Sequence, residues 1–160
     1  MDPVSNSPIV ILQDVKKNTL LPIWVGIFEA NAIALQIERV DAPRPMTHDL
    51  LKNILLHISA SVQKVVVTAL RENTFYALIH LDIDGERVTV DSRPSDAIAL
   101  AMRTDAPIYV TEDVISNSRK IAGIPATSRY APRYRRHPPS RRKSTACFQS
   151  ATAKFHWPVA

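Results

Sequence analysis

Over the first 118 residues the apolar positions come in short runs, and their period changes from two to about 3.6 and back. Ile9 to Val15 is rich in β-branched residues and ends at Lys16-Lys17-Asn18, which predicts a first strand and a turn. Leu21 to Phe28 predicts a second strand, with Pro22 near its start, where a missing N–H does least harm. From Ala30 the spacing turns helical: Ala30, Ile33, Ala34, Ile37 and Val40 fall on one side, with Asn31, Gln36, Glu38 and Arg39 mostly on the other. Ala42-Pro43-Arg44-Pro45 ends that helix, because proline restricts its predecessor and lacks a donor. Thr47 is placed to cap a second helix, with Leu51, Ile54, Leu55 and Ile58 as its expected buried stripe.

Three strands follow. Val62 to Leu70 is β-branched and Glu72-Asn73 suits a turn. Phe75, Ala77, Leu81 and Ile83 alternate with Tyr76, His80 and Asp82, although Leu78 and Ile79 blur the middle. Asp84-Gly85 is a strong two-residue hairpin signal and leads into Glu86 to Asp91, with Val88 and Val90 facing one way. These runs predict an antiparallel meander. Ser92-Arg93-Pro94-Ser95-Asp96 opens a third helix reaching Arg103, since proline is tolerated in a first turn and acids favour the positive end of the helix dipole. Pro107 to Val110 predicts a last short strand, and Thr111-Glu112-Asp113 the start of a short helical turn. The order ββααβββαβ, with strands clustered rather than strictly alternating with helices, predicts a single α+β domain over residues 1–118.

After Ser118 the character changes. Tyr130 to Lys143 is dense in arginine and proline and has no apolar periodicity, so residues 119–160 are expected to form a disordered tail. Charge divides at the same place: residues 1–118 carry −5 and residues 119–160 carry +10. The overall pI of about 9.6 therefore hides an acidic body with a cationic tail. Cys147 is the one cysteine and lies in the tail, which excludes an internal disulfide. Neither a signal peptide nor an apolar run of membrane-spanning length is visible, so a cytoplasmic protein without a membrane partner is expected.

Asp91-Ser92-Arg93-Pro94-Ser95-Asp96-Ala97-Ile98-Ala99-Leu100-Ala101 strongly resembles the signature of the bifunctional nuclease (BFN) family. Pro107-Ile108-Tyr109-Val110 matches as well, as do Leu21-Pro22-Ile23-Trp24-Val25-Gly26, Glu29-Ala30 and Ala32-Ile33-Ala34. The resemblance covers about residues 8–115 and leaves the tail outside. It implies an α+β domain that assembles as a homo-oligomer, with activity on both RNA and DNA.

Phosphodiester hydrolysis needs an activated water and stabilisation of charge on the phosphate. Asp91 and Asp96 bracket a helix start with Arg93 between them, and Glu29 lies in another matching block. Glu29, Asp91 and Asp96 are the candidate catalytic acids; Asp91 and Asp96 are candidate ligands for Mg²⁺ or Mn²⁺, and Arg93 and Ser95 candidate phosphate contacts. The plainer reading is that Ser92, Ser95 and Asp96 cap the helix, Arg93 pairs with an acid and Glu29 complements a helix dipole. His48, His57 and His80 lack the spacing of a zinc pair and read as solvated or core-edge residues. Asp82, Asp84 and Glu86 read as servants of a hairpin. In the tail, Arg133, Arg135, Arg136, Arg141, Arg142 and Lys143, with Tyr130 and Tyr134, offer phosphate contacts and stacking to nucleic acid. Two other readings stay open: a non-catalytic module with an anion pocket at the Pro94 helix start, and a structural oligomer.

Overall fold

Ten elements follow one another in the computed structural model, which describes residues 7–14 and 19–122, with the backbone alone over 119–122. They are β1 (Ile9–Gln13), β2 (Leu20–Trp24), α1 (Ile27–Glu38), α2 (Thr47–His57), β3 (Ala60–Arg71), β4 (Thr74–Ile83), β5 (Glu86–Ser92), α3 (Pro94–Thr104), β6 (Ile108–Val110) and α4 (Glu112–Ala122). The fold is α+β and the expected order holds, with α4 added as a full helix in place of a short turn. This helix runs past Ser118. The expected turn at Lys16-Lys17-Asn18 and the tail cations Arg133, Arg135, Arg136, Arg141, Arg142 and Lys143 lie outside the described residues. No described helix is long and apolar enough to cross a membrane.

β1 and β2 form an antiparallel pair, and the other strands form a sheet of order β5-β4-β3-β6. The meander β3-β4-β5 is antiparallel, as its alternation predicts. Its turns also follow from sequence. Glu72 and Asn73 both have positive φ, as do Asp84 and Gly85, the combination a tight hairpin matched to strand twist requires. The Asp82 carboxylate accepts a hydrogen bond from the Gly85 N–H at 3.0 Å. β6 then pairs in parallel with β3 at the far edge, so α3 is the crossover from β5 to β6.

The blurred middle of β4 resolves once the pairing is known. Ala77, Ile79 and Leu81 are buried, whereas Leu78 shares the other face with Val66 and is only half-buried. α3 lies over the core face of β3 and β4 and also touches α1 and α2. It is buried on nearly all sides, with Ala97, Ile98, Ala99, Leu100 and Ala101 at 1% exposure or less. The three alanines that alternate along this stretch let neighbouring elements approach closely, which suits a helix surrounded by other elements.

Several expectations fail at element ends. Ile27 and Phe28 belong to α1 rather than β2: the Gly26 carbonyl accepts from the Ala30 N–H at 2.9 Å, so helical bonding starts before the β-branched run has finished. α1 stops at Arg39, which adopts a left-handed conformation while the Val40 N–H bonds back to the Leu35 carbonyl. Val40 lies beyond the helix, and both it and Ile37, in the last turn, are exposed rather than buried as expected. Thr47 is the first helical residue of α2 rather than its cap; the Asp49 carboxylate reaches back to the Met46 N–H at 2.9 Å. The stripe expected on α2 is also turned outward, since Leu55 is buried but Leu51, Ile54 and Ile58 are exposed. Polar ties to α3, described below, set this rotation.

Candidate functional site

Pro94 begins α3 because its fixed φ suits a first helical position and its absent N–H costs nothing there. Arg93 is therefore the N-cap residue, extended at φ −69° and ψ 143°, and its side chain turns back over the helix start. Its Nε donates to Asp96 Oδ2 at 2.8 Å, and its Nη2 lies 2.8 Å from Glu29 Oε1 and 3.2 Å from Asp96 Oδ1. Asp96 also accepts from His48 Nε2 at 3.2 Å. A carboxylate only accepts, so Nε2 is the nitrogen that carries a proton.

Four residues from α1, α2 and the start of α3 thus form one connected polar cluster. Arg93 is its open member, with 67% of the side chain exposed, against 30% for Asp96, 17% for Glu29 and 11% for His48. The Asp96 hydrogen bond and charge, followed by those of Glu29, raise the Arg93 pKa, so the guanidinium stays charged at any accessible pH. With His48 neutral, the two acids and one arginine sum to −1.

Of the residues singled out in the sequence, Glu29, Arg93 and Asp96 come together. Asp91 stands apart: on β5 it pairs with Leu78 of β4, on the sheet face that does not carry the core. Ser95 is buried at 6% exposure, and Ser92 Oγ donates to the Ala77 carbonyl across the sheet. The serines therefore do not cap the helix through their side chains, whereas Arg93 does pair with acids. His48 was legible only as a solvated or core-edge histidine. It lies 48 positions before Asp96, and no local pattern signals a contact across that separation.

A second charged group lies further along α3. Arg103, only 4% exposed in its side chain, donates to Asp49 and to the carbonyls of Ala99 at 3.0 Å and Ala32 at 3.1 Å. Burial opposes ionisation of Asp49, but hydrogen bonds from Arg103 and the Met46 N–H outweigh it and hold the carboxyl below its ordinary value. His48 and Asp49, neighbours in the first turn of α2, thus reach Asp96 and Arg103, which are two turns apart on α3. A cleft of about 390 Å³ opens beside this pair, lined by Gln36, Asp49, Lys52 and Arg103 among others. Its buried charges already satisfy one another, so the cluster at the helix start is the stronger candidate for chemistry.

Among the described residues no three His, Cys, Asp or Glu side chains converge as metal ligands. Both Asp96 oxygens are engaged by Arg93 or His48, and Asp91 faces elsewhere, so these two aspartates do not fit one ion in this arrangement.

Comparison with known proteins agrees with the blocks in the sequence. Residues 10–122 match the bifunctional nuclease domain. An uncharacterized protein of Mycobacterium tuberculosis (strain H37Rv) is 40% identical over 113 residues, covering 71% of this chain and 67% of the relative. Bifunctional nuclease 1 of Oryza sativa subsp. japonica is 26% identical over 120 residues, covering 73% of this chain and 36% of the relative. Bifunctional nuclease 2 of Arabidopsis thaliana is 29% identical over 110 residues, 67% of this chain and 33% of the relative. The chain thus spans about a third of these plant relatives. The match embraces every described element from β1 to α4, including the helix start that carries Arg93 and Asp96, and the chain belongs to the bifunctional nuclease domain family.

Proposed function

We propose that this protein is a nuclease that hydrolyses RNA and DNA phosphodiester bonds with little sequence preference, using the Glu29–Arg93–Asp96–His48 cluster. One observation carries the proposal: a histidine and two acids from separate elements converge on an exposed arginine inside the family's domain. Hydrolysis needs a group that moves a proton and a cation facing the phosphate. The His48 imidazole, oriented by Asp96, supplies the first. The open side of the Arg93 guanidinium supplies the second, and Glu29 and Asp96 hold it in place. A non-catalytic anion pocket at the Pro94 helix start would use the same exposed guanidinium, and it differs from the nuclease reading in predicting binding without turnover.

We propose that Mg²⁺ or Mn²⁺ assists the reaction, a requirement that turnover with and without the ion measures. Glu29 and Asp96 are the acids a cation could recruit, by exchange with Arg93, while Asp91 would need a separate ion. We also propose that the domain self-associates, supported by Leu50, Leu51 and Ile54 on α2 and Ile58 at its C-cap, which are 38–54% exposed.

The test is turnover of a labelled oligonucleotide with and without divalent metal, by the wild type and by Asp96→Asn. The substitution should lower cleavage on the order of a hundredfold and cost about 1 kcal/mol of stability through weaker hydrogen bonding. Wild-type rates in Asp96→Asn would remove the cluster from the chemistry. Absence of cleavage by the wild type under every divalent metal would end the nuclease reading.

A further inference from the structure

The four-stranded sheet has two faces, and the core uses one of them. Val65, Val67, Ala77, Ile79 and Leu81 are buried on the helix side. The register assembles a different set on the other side. Tyr109, Val66, Leu78 and Asp91 form one row from β6 to β5, Lys64 lies beside His80 and Thr89, and Tyr76 is opposite Ala69. Val66 and Leu78, at the middle of this face, are half-buried and lie outside the residues that pack against the core.

Two tyrosines stand on this face, each accompanied by a cation. The Lys64 ammonium is 6.0 Å from the Tyr109 ring centre, and the Arg71 guanidinium is 5.9 Å from that of Tyr76. Arg87, in the row of Asp82, adds a third cation. The acids on the same face are Asp91 and Asp82, and Asp82 is engaged by the Gly85 N–H. This gives three cations against two acids in a body whose net charge is −5, so positive charge is concentrated here relative to the rest of residues 1–118. Tyr76 on β4 and Tyr109 on β6 are two strand spacings apart, roughly 10 Å across the sheet.

We infer that this open sheet face binds single-stranded nucleic acid, with bases stacked on Tyr76 and Tyr109 and phosphates met by Lys64 and Arg71. The inference rests on the reading above in one respect, that the protein handles nucleic acid. An aromatic ring accepts any base, because every base presents a π-face, so the surface is tolerant of sequence. It selects single strands, because bases paired in a duplex are already stacked and do not reach a flat sheet. A second copy of the chain is the poorer occupant, since each ring is flanked by a charge and the large exposed aliphatic side chains cluster on α1 and α2 instead. The row from Tyr109 ends at Asp91 on the edge strand, and Arg93 follows two residues later.

The experiment uses the full-length protein and a fluorescein-labelled oligo-dT, with binding followed by fluorescence anisotropy. Tyr76→Ala and Tyr109→Ala should each weaken binding on the order of tenfold, while Tyr76→Phe and Tyr109→Phe retain it because the stacking face remains. Affinity for a duplex of equal length should not change. Photocrosslinking of oligo-bromodeoxyuridine to the wild type provides a measurement independent of any variant's folding, and the crosslinks should map to the peptides holding Tyr76 and Tyr109. Unchanged affinity in both alanine variants, or crosslinks confined to residues 123–160, would overturn the inference. So would a change in sedimentation mass on removing the tyrosines, which would make the face a contact between copies. Tyrosine-dependent binding without any cleavage supports this face and removes the nuclease reading. Asp96-dependent cleavage with tyrosine-independent binding does the reverse.

Discussion

A methyl group added to Gly26 would meet the Glu29 carboxylate, because that side chain folds back over the start of α1 toward Arg93. The backbone at Gly26, with φ −70° and ψ 158°, is one that alanine adopts without strain. Gly26→Ala should therefore displace the flexible end of Glu29 while leaving the helix intact. We expect stability to change by no more than about 0.5 kcal/mol and cleavage to fall on the order of tenfold, measured by thermal unfolding and oligonucleotide turnover. Unaltered turnover would show that Glu29 is dispensable. Residues of this kind were unevenly legible. Glu29, Arg93 and Asp96 could be singled out because each lies in or beside a local helix signal. His48 could not, since its importance comes from a contact that only folding creates.

Among the elements, α2 departs most from its pattern. Its apolar spacing predicted burial of Leu51, Ile54, Leu55 and Ile58, yet the His48–Asp96 and Asp49–Arg103 contacts turn the helix so that only Leu55 of these is buried. Removing Arg103 should be costly. Arg103→Ala is expected to lose about 3 kcal/mol in chemical denaturation, the low end for one partner of a buried pair, because Asp49 still reaches water. The same contact sets a pH dependence. Asp49 has a folded pKa below its ordinary 3.8, so its contribution is complete above that value and is lost as pH falls through the lower folded one. Urea midpoints between pH 6 and pH 2 should therefore fall less steeply in Asp49→Asn than in the wild type. The outward stripe makes a separate forecast: Leu51→Asp with Ile54→Asp should reduce the sedimentation mass if α2 joins copies of the chain. An unchanged mass would place self-association elsewhere or remove it.

At the scale of the whole molecule, an acidic domain is joined to a cationic segment. α4 runs to Ala122, so a chain ending just after it should keep every described element and unfold cooperatively. One ending at Ser118 would cut through the helix. The segment beyond should supply most of the salt-sensitive affinity for single strands. Its six cations from Arg133 to Lys143 would contribute a log–log salt slope of up to about 4, and the slope should flatten by that amount when they are removed. Binding that survives high salt should then depend on Tyr76 and Tyr109, because stacking releases no counterions. Equal slopes in the two chains would deny the tail its electrostatic role.

Periodicity and turn chemistry were enough to determine the α+β class, the meander and both hairpin turns, because these depend on residues close in the chain. Asp84-Gly85 needs only its own conformational freedom to make a turn, and Pro94 needs only its ring to begin a helix. The family blocks were legible for the same reason, each being a continuous run. Tertiary structure alone decided which face of α2 is buried, that Asp91 parts from Asp96, and that Tyr76 and Tyr109 share one open surface. In each case the deciding contact joins residues distant in sequence, and its energy depends on where a third element has come to rest.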